Sequence, residues 1–153
     1  MPANTSPIFT LTANIGKAQI ATTNAQVKSD GTSAGSGADL VYKAFTAGAN
    51  GSYIDRVRFS PGGTAAVTSV ACVLRVYLST VSAPGATTGG TDTWLLGEVS
   101  VPAIATASTT VAAGFYEIPL NIAIPASTYL HVGQSIAQTT NQFWQALVFG
   151  GDY

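Results

Sequence analysis

Charge is what this 153-residue sequence has least of. It carries six Lys/Arg, seven Asp/Glu and one His, so 8% of residues are charged and the formal net charge is −1. A typical globular chain is about 25% charged. Six scattered cations cannot form the positive face that phosphate binding needs, which excludes nucleic acid as the main partner. Apolar runs fall far short of the ~20 residues of a spanning helix, so no membrane partner is expected. Cys72 is the single cysteine, which rules out an internal disulfide framework. It sits in the run Val70-Ala71-Cys72-Val73-Leu74 and reads as a buried small hydrophobe. Glu and Lys are sparse, and Leu is scarce beside Thr, Ser, Gly, Ala and Val, so helix is poorly supported. Met1-Pro2-Ala3-Asn4-Thr5-Ser6-Pro7 lacks the basic stretch and apolar core of a secretory signal. The 46% hydrophobic share, rich in alanine, and the low net charge exclude classical disorder. The length fits one domain.

What is present is a series of strand-length runs bounded by Gly, Pro, Asn and Ser, the pattern of an all-β chain. Residues 1–37 differ from the rest. Two short alternating pieces, Pro7–Thr12 and Lys17–Thr23, precede the flexible composition of Ser29–Gly37, and Phe9 is the only aromatic residue there. This segment reads as an extended N-terminal arm that packs poorly by itself. Residues 38–153 read as the folded domain. Strands are expected at Asp39–Thr46, Tyr53–Ser60, Ser69–Ser79, Thr93–Val101, Gly114–Ile122, Thr128–Val132 with Gln134–Gln138, and Phe143–Gly150. Strict alternation puts Tyr53, Asp55, Val57 and Phe59 on one face and Ile54, Arg56 and Arg58 on the other. Pro61-Gly62-Gly63 ends that strand. Val70, Cys72, Leu74, Val76 and Leu78 form the strongest apolar face. Tyr116, Ile118, Leu120, Ile122 and Ile124 point inward, and Pro119 places its strand at a sheet edge or a bulge. Seven or eight short antiparallel strands in about 115 residues suit an antiparallel β-sandwich; the unequal loops and long central strand favour a jelly roll over a propeller blade, with a barrel and an immunoglobulin-like sandwich as the alternatives.

Sites for chemistry are few. A Ser–His–Asp arrangement would have to use His131, which alternation sets opposite Leu130 and Val132, as a surface or interface residue. Asp55, Asp92, Glu98 and Glu117 are the carboxylates for a hydrolytic pair, but each stands alone in the sequence. One His and one Cys exclude a usual zinc set, and the glycine patterns around Gly16 and Gly35 fit neither a phosphate loop nor a dinucleotide fingerprint. No catalytic residue, metal or cofactor is expected. Arg56, Arg58 and Arg75 either pair with Asp55, Glu98 or Glu117 or reach a partner protein, where arginine is enriched. Trp94, Phe143 and Trp144 read as core or interface aromatics, with a sugar-stacking platform as the alternative.

So few charges leave solubility to Thr, Ser, Asn and Gln, unless partners cover much of the surface. The arm favours coverage, because an extended segment can add a strand to a neighbouring subunit. Ile8-Phe9-Thr10-Leu11 and Gln19-Ile20-Ala21 are the pieces suited to this. On that reading, removing residues 2–24 leaves a folded sandwich that no longer binds.

The segments Leu74-Arg75-Val76-Tyr77-Leu78-Ser79, Trp94-Leu95-Leu96-Gly97-Glu98, Tyr116–Ala126, Tyr129-Leu130-His131-Val132-Gly133 and Gly150-Gly151-Asp152-Tyr153 together resemble small virion proteins of tailed bacteriophages. Within that group the chain is most similar in character to capsid cement (decoration) proteins with a jelly-roll fold. The resemblance covers about residues 53–153. It implies a non-enzymatic protein made in the host cytoplasm and located on the capsid surface of the virion. The implied protein is commonly a homotrimer bound where major capsid protein subunits meet, stabilising the head. Ile8, Phe9, Leu11, Gln19, Ile20, Arg56, Arg58, Arg75, Trp144 and Tyr153 are the residues expected at protein interfaces. A tail, neck or fibre component and a carbohydrate- or receptor-binding sandwich remain as alternatives.

Overall fold

The computed structural model describes residues 10–20, 41–63, 69–82, 93–104 and 114–153. Eight strands run in chain order: β1 (Thr12–Ile20), β2 (Val41–Thr46), β3 (Ser52–Gly63), β4 (Cys72–Ser79), β5 (Thr93–Val101), β6 (Tyr116–Ile124), β7 (Tyr129–Gln134) and β8 (Gln142–Asp152). They form two four-stranded antiparallel sheets, β1-β8-β3-β6 and β2-β7-β4-β5. The expectation of an all-β sandwich holds. The pairings nest by sequence: β1 with β8, β2 with β7, β3 with β6 and β4 with β5.

The core lies between the sheets. Trp144, Phe59, Ile20, Ile54, Val57, Leu74, Val76, Leu130, Val132 and Val148 have no exposed surface. Each large side chain so buried contributes roughly 1.5–3 kcal/mol. Cys72, Leu74 and Val76 face inward as expected, and Leu78 packs partly against the same core. In β6, Ile118 and Ile124 are buried while Tyr116, Leu120 and Ile122 pack partly against the core. Pro119 lies on β6, an edge strand, opposite the irregular point of β3. There its missing N–H disturbs least.

The alternation expected in β3 is corrected by a bulge. Register shifts between Ile54 and Arg56 against both neighbours: against β8, Asp55 is the extra residue, and against β6 it stands opposite two residues, Leu120 and Asn121. One inserted residue reverses the phase of a period-2 pattern. Ile54, Val57 and Phe59 therefore all point inward and are fully buried, while Tyr53, Arg56 and Arg58 share the outer face. β3 also continues through Pro61-Gly62-Gly63 rather than ending before it. Pairing with β6 stops at Phe59, so Pro61 has a partner strand on one side only, β8. A proline is tolerated in such a place.

Within the segment read as an arm, residues 12–20 are a full strand of the sandwich. All nine residues of β1 pair with β8, from Thr12 opposite Asp152 to Ile20 opposite Trp144. Ile20 is fully buried. The far edge of β1 closes on β2. A Cβ on Gly16 would lie 2.1 Å from the Ala44 carbonyl oxygen, so only glycine allows that approach. Nearby, Asp152 accepts hydrogen bonds from Asn14 Nδ2 (2.9 and 3.0 Å) and Ser52 Oγ (2.5 Å). The first strand, the start of β3 and the end of the last strand are thereby tied at one carboxylate.

Candidate functional site: the open face of the first sheet

Each sheet has one face toward the core and one away from it, and the two outward faces differ. On β2-β7-β4-β5 that face is largely covered by the chain itself. Tyr77 is fully buried and His131 is 1% exposed, although both point away from Leu130 and Val132. Residues just after β4 fold back over them. His131 Nε2 lies 3.1 Å from the Val81 carbonyl oxygen, Ser79 Oγ and the Val81 backbone bond each other at 3.1 Å, and Lys43 Nζ donates to Ser82 Oγ at 2.8 Å. The surface or interface position expected for His131 is thus corrected, because β7 is an inner strand with a covered back. Arg75 stands on the same face. Its Nε donates to Glu98 Oε2 at 3.0 Å and it is nearly buried, so it is held within the chain by the pairing that charge alone had offered.

The outward face of β1-β8-β3-β6 is open. Registers align its residues into rows across the four strands. Ile15, Phe149, Arg56 and Pro119 form one row; Lys17, Leu147, Arg58 and Glu117 form the next; Gln19, Gln145 and Ser60 form a third. Ile15 is 62% exposed, Leu147 39%, and Phe115, one residue before β6, 57%. Of the seven large hydrophobic residues exposed among the described residues, these three and Leu11 and Tyr53 belong to this face or its margin; Trp94 and Ile136 lie elsewhere. A shallow depression of about 470 Å³ lies along the third row, bordered by Lys17, Gln19, Ser60, Gln145 and Leu147.

Electrostatics hold the arginines flat on this surface. Glu117 Oε1 accepts from Arg56 Nε at 3.1 Å and from Arg58 at 2.8 Å, and Asp55 pairs with Arg56. The Arg56 guanidinium lies 4.7 Å from the Phe149 ring centre, and the Arg58 guanidinium lies 4.4 Å from Phe115 and 5.3 Å from Phe149. Exposed ion pairs of this kind add little stability, and each cation–π contact adds about 0.5–1 kcal/mol at an exposed site. Their effect is positional. Two guanidinium planes and two phenyl rings are fixed in one amphipathic surface, so little side-chain entropy remains to be lost on binding.

Of the ten residues expected at interfaces, Leu11, Gln19, Arg56 and Arg58 lie on or beside the open face. Ile20 and Trp144 do not: both are inside the sandwich, because β1 and β8 turn their even-numbered residues inward. Trp144 meets Tyr116 edge to face at 6.0 Å. A sugar platform using both Trp94 and Trp144 is ruled out by the same burial. Tyr153 is half-buried at the chain end, its N–H bonded to the Gly51 carbonyl and its own carbonyl to Asn50. Ile8 and Phe9 lie outside the described residues, as does Asp92. The other carboxylates considered for hydrolysis, Asp55, Glu98 and Glu117, each contact an arginine. Among the described residues, no group of three or more metal-ligating side chains converges.

Sequence reasoning missed Ile15, Lys17, Phe115, Leu147 and Phe149. β8 is apolar on both faces, so alternation could not tell which side was covered. Gly16 interrupts the alternation of β1 and splits it into two apparent pieces, which hid Ile15.

Comparison with known proteins is sparse. No protein-family model matches the chain, and no curated protein matches it. Among solved structures, the chain is similar at 16% identity and a TM-score of 0.31 to the VP2 subviral particle of infectious bursal disease virus. That alignment covers 99% of this chain and 37% of the other. A structure of the T13 particle of the same virus gives 13% identity and a TM-score of 0.28, over 99% and 36%. The chain thus spans little more than a third of the length of those proteins.

Proposed function

We propose that this chain is a non-enzymatic virion structural protein, a capsid cement protein of a bacteriophage head, wound as a jelly roll. On this reading it sits on the capsid surface and binds major capsid protein subunits and copies of itself. The single observation that carries the reading is the inequality of the two outer faces. Among the described residues, the chain covers the back of one sheet and leaves the other exposed, with aromatic, aliphatic and arginine side chains fixed in rows. Exposed apolar patches bounded by polar groups mark docking surfaces, and aromatic residues with arginine are the types enriched there. The nested pairing of first strand with last, second with seventh and so inward supports the jelly-roll winding. The sequence resemblance to phage cement proteins supplies the setting. Many copies, each holding a neighbour weakly, stabilise a shell through multivalency.

The test is co-sedimentation of the purified full-length chain with empty shells of the parent virus. The wild type binds to saturation, Leu147→Asp loses binding, and Trp94→Ala binds like the wild type. A wild type that stays in the supernatant, or a Leu147→Asp variant that binds undiminished, contradicts the reading.

A further inference from the structure

We infer that the open face of the first sheet docks against the same face of a second copy, about a two-fold axis that runs along the strands. This rests on the reading of that face as an interface and names its occupant, a second copy; shells then bind the pair, and Leu147→Asp loses them by losing that two-fold valency. Face-to-face sheet contacts keep strands within about 30° of one another, and an isologous contact sets each surface residue against its symmetry partner. Two such axes are available in the plane of the face, and charge separates them.

An axis across the strands lays the row Ile15–Phe149–Arg56–Pro119 over the row Lys17–Leu147–Arg58–Glu117. That sets Arg56 against Arg58 of the second copy, a like-charge pair at the centre of the contact. An axis along the strands, over the β8–β3 boundary, instead lays each row on itself in reverse. β1 then faces β6 of the second copy, and β8 faces β3. The registers fix the consequences. Lys17 meets Glu117, Ile15 meets Pro119, Phe149 meets Arg56 and Leu147 meets Arg58, each twice. Every cation in the two rows meets a carboxylate, a ring or an aliphatic side chain. Lys17, exposed and in none of the ion pairs found among the described residues, gains its counter-charge only in this arrangement. Arg56 is already stacked on its own Phe149, so a second ring closes on its other side.

Charge reversal tests the pairing. The full-length wild type, Lys17→Glu, Glu117→Lys and the double reversal are compared by sedimentation velocity across a concentration series, with thermal melts to confirm folding. A wild-type dimer is expected. Lys17→Glu is expected to dissociate at a concentration roughly ten-fold higher, as the loss of close charge pairs implies, and the double reversal to recover most of that loss. Glu117 also serves Arg56 and Arg58, so Lys17→Glu and its rescue decide between the outcomes if Glu117→Lys alone melts early. A monomeric or trimeric wild type overturns the inference, as does a dimer indifferent to Lys17→Glu. A monomer that still coats shells leaves the capsid reading standing; a monomer that ignores shells removes both.

Discussion

At the scale of single residues, position in a strand decides whether a side chain is reactive, structural or available. Cys72 shows this most simply. It points into the core beside Gln138, whose Nε2 lies 3.4 Å from the sulfur. Burial pushes its thiol up from 9.0 to about 11, against the smaller opposing effects of hydrogen bonds from Gln138 and Trp144. A thiol kept protonated and covered is a poor nucleophile, so a thiol-labelling reagent at pH 8 is expected to leave the native chain untouched and to modify one site after denaturation. The same shift fixes a pH dependence. In the unfolded chain the thiol ionises near 9, and in the folded chain near 11, so between those values the unfolded state holds fewer protons. Stability is therefore whole below about pH 9 and declines as pH rises through about 11. Denaturant titrations of wild type and Cys72→Ala at pH 8 and pH 10.5 isolate this effect from the other groups that titrate there. The wild type should lose more stability than the variant, and equal losses contradict the assignment.

At the scale of elements, β1 matters most, because it changes what the N-terminal region is for. Paired along its whole length with β8, closed against β2 through Gly16 and anchored by Ile20 in the core, it cannot be lost without exposing the edge of β8 and opening the sandwich. Deletion of residues 2–24 is thus expected to give an aggregating or unfolded chain. A uniformly bare edge strand and a cavity at Ile20 both act in that direction. The check is the melting curve and the monodispersity of the truncated protein; a soluble, cooperatively folding product contradicts this placement and restores the picture of a free arm.

Much of the fold is legible in the sequence. Strand positions, the inward faces of β4 and β6 and the edge position of Pro119 follow from alternation and from proline chemistry. Other features are hidden for definite reasons. The β3 bulge at Asp55 reverses the pattern without any glycine to announce it. β1 mixes apolar and polar residues on both faces, Ile15 with Lys17 and Gln19 outward and Ile20 with Thr12 and Asn14 inward, and its strand character comes from pairing with β8, far away in sequence. His131 sits between apolar neighbours like a surface residue of an amphipathic strand, but its back is covered by Val81 and Ser82 after a chain reversal that no local pattern encodes. The candidate site is half visible. Arg56 and Arg58 declare themselves, whereas Phe149 and Leu147 join them only through register.

At the scale of the whole molecule, the scarcity of charge and the bareness of one face belong together. Three of the six cations, Lys17, Arg56 and Arg58, stand on the open face beside Asp55 and Glu117, so a chain poor in ions concentrates them where its apolar surface is exposed. Such a surface is costly to leave in water and directional enough to choose its partner. The proposed assembly requires that face to be the one that is covered. Hydroxyl-radical footprinting of the full-length chain, dilute and then assembled with its own copies or with shells, reads this directly. Ile15, Phe115, Leu147 and Phe149 should lose reactivity together on assembly while Trp94 and Ile136 keep theirs. Protection of Trp94 and Ile136 with the four face residues unchanged contradicts the account.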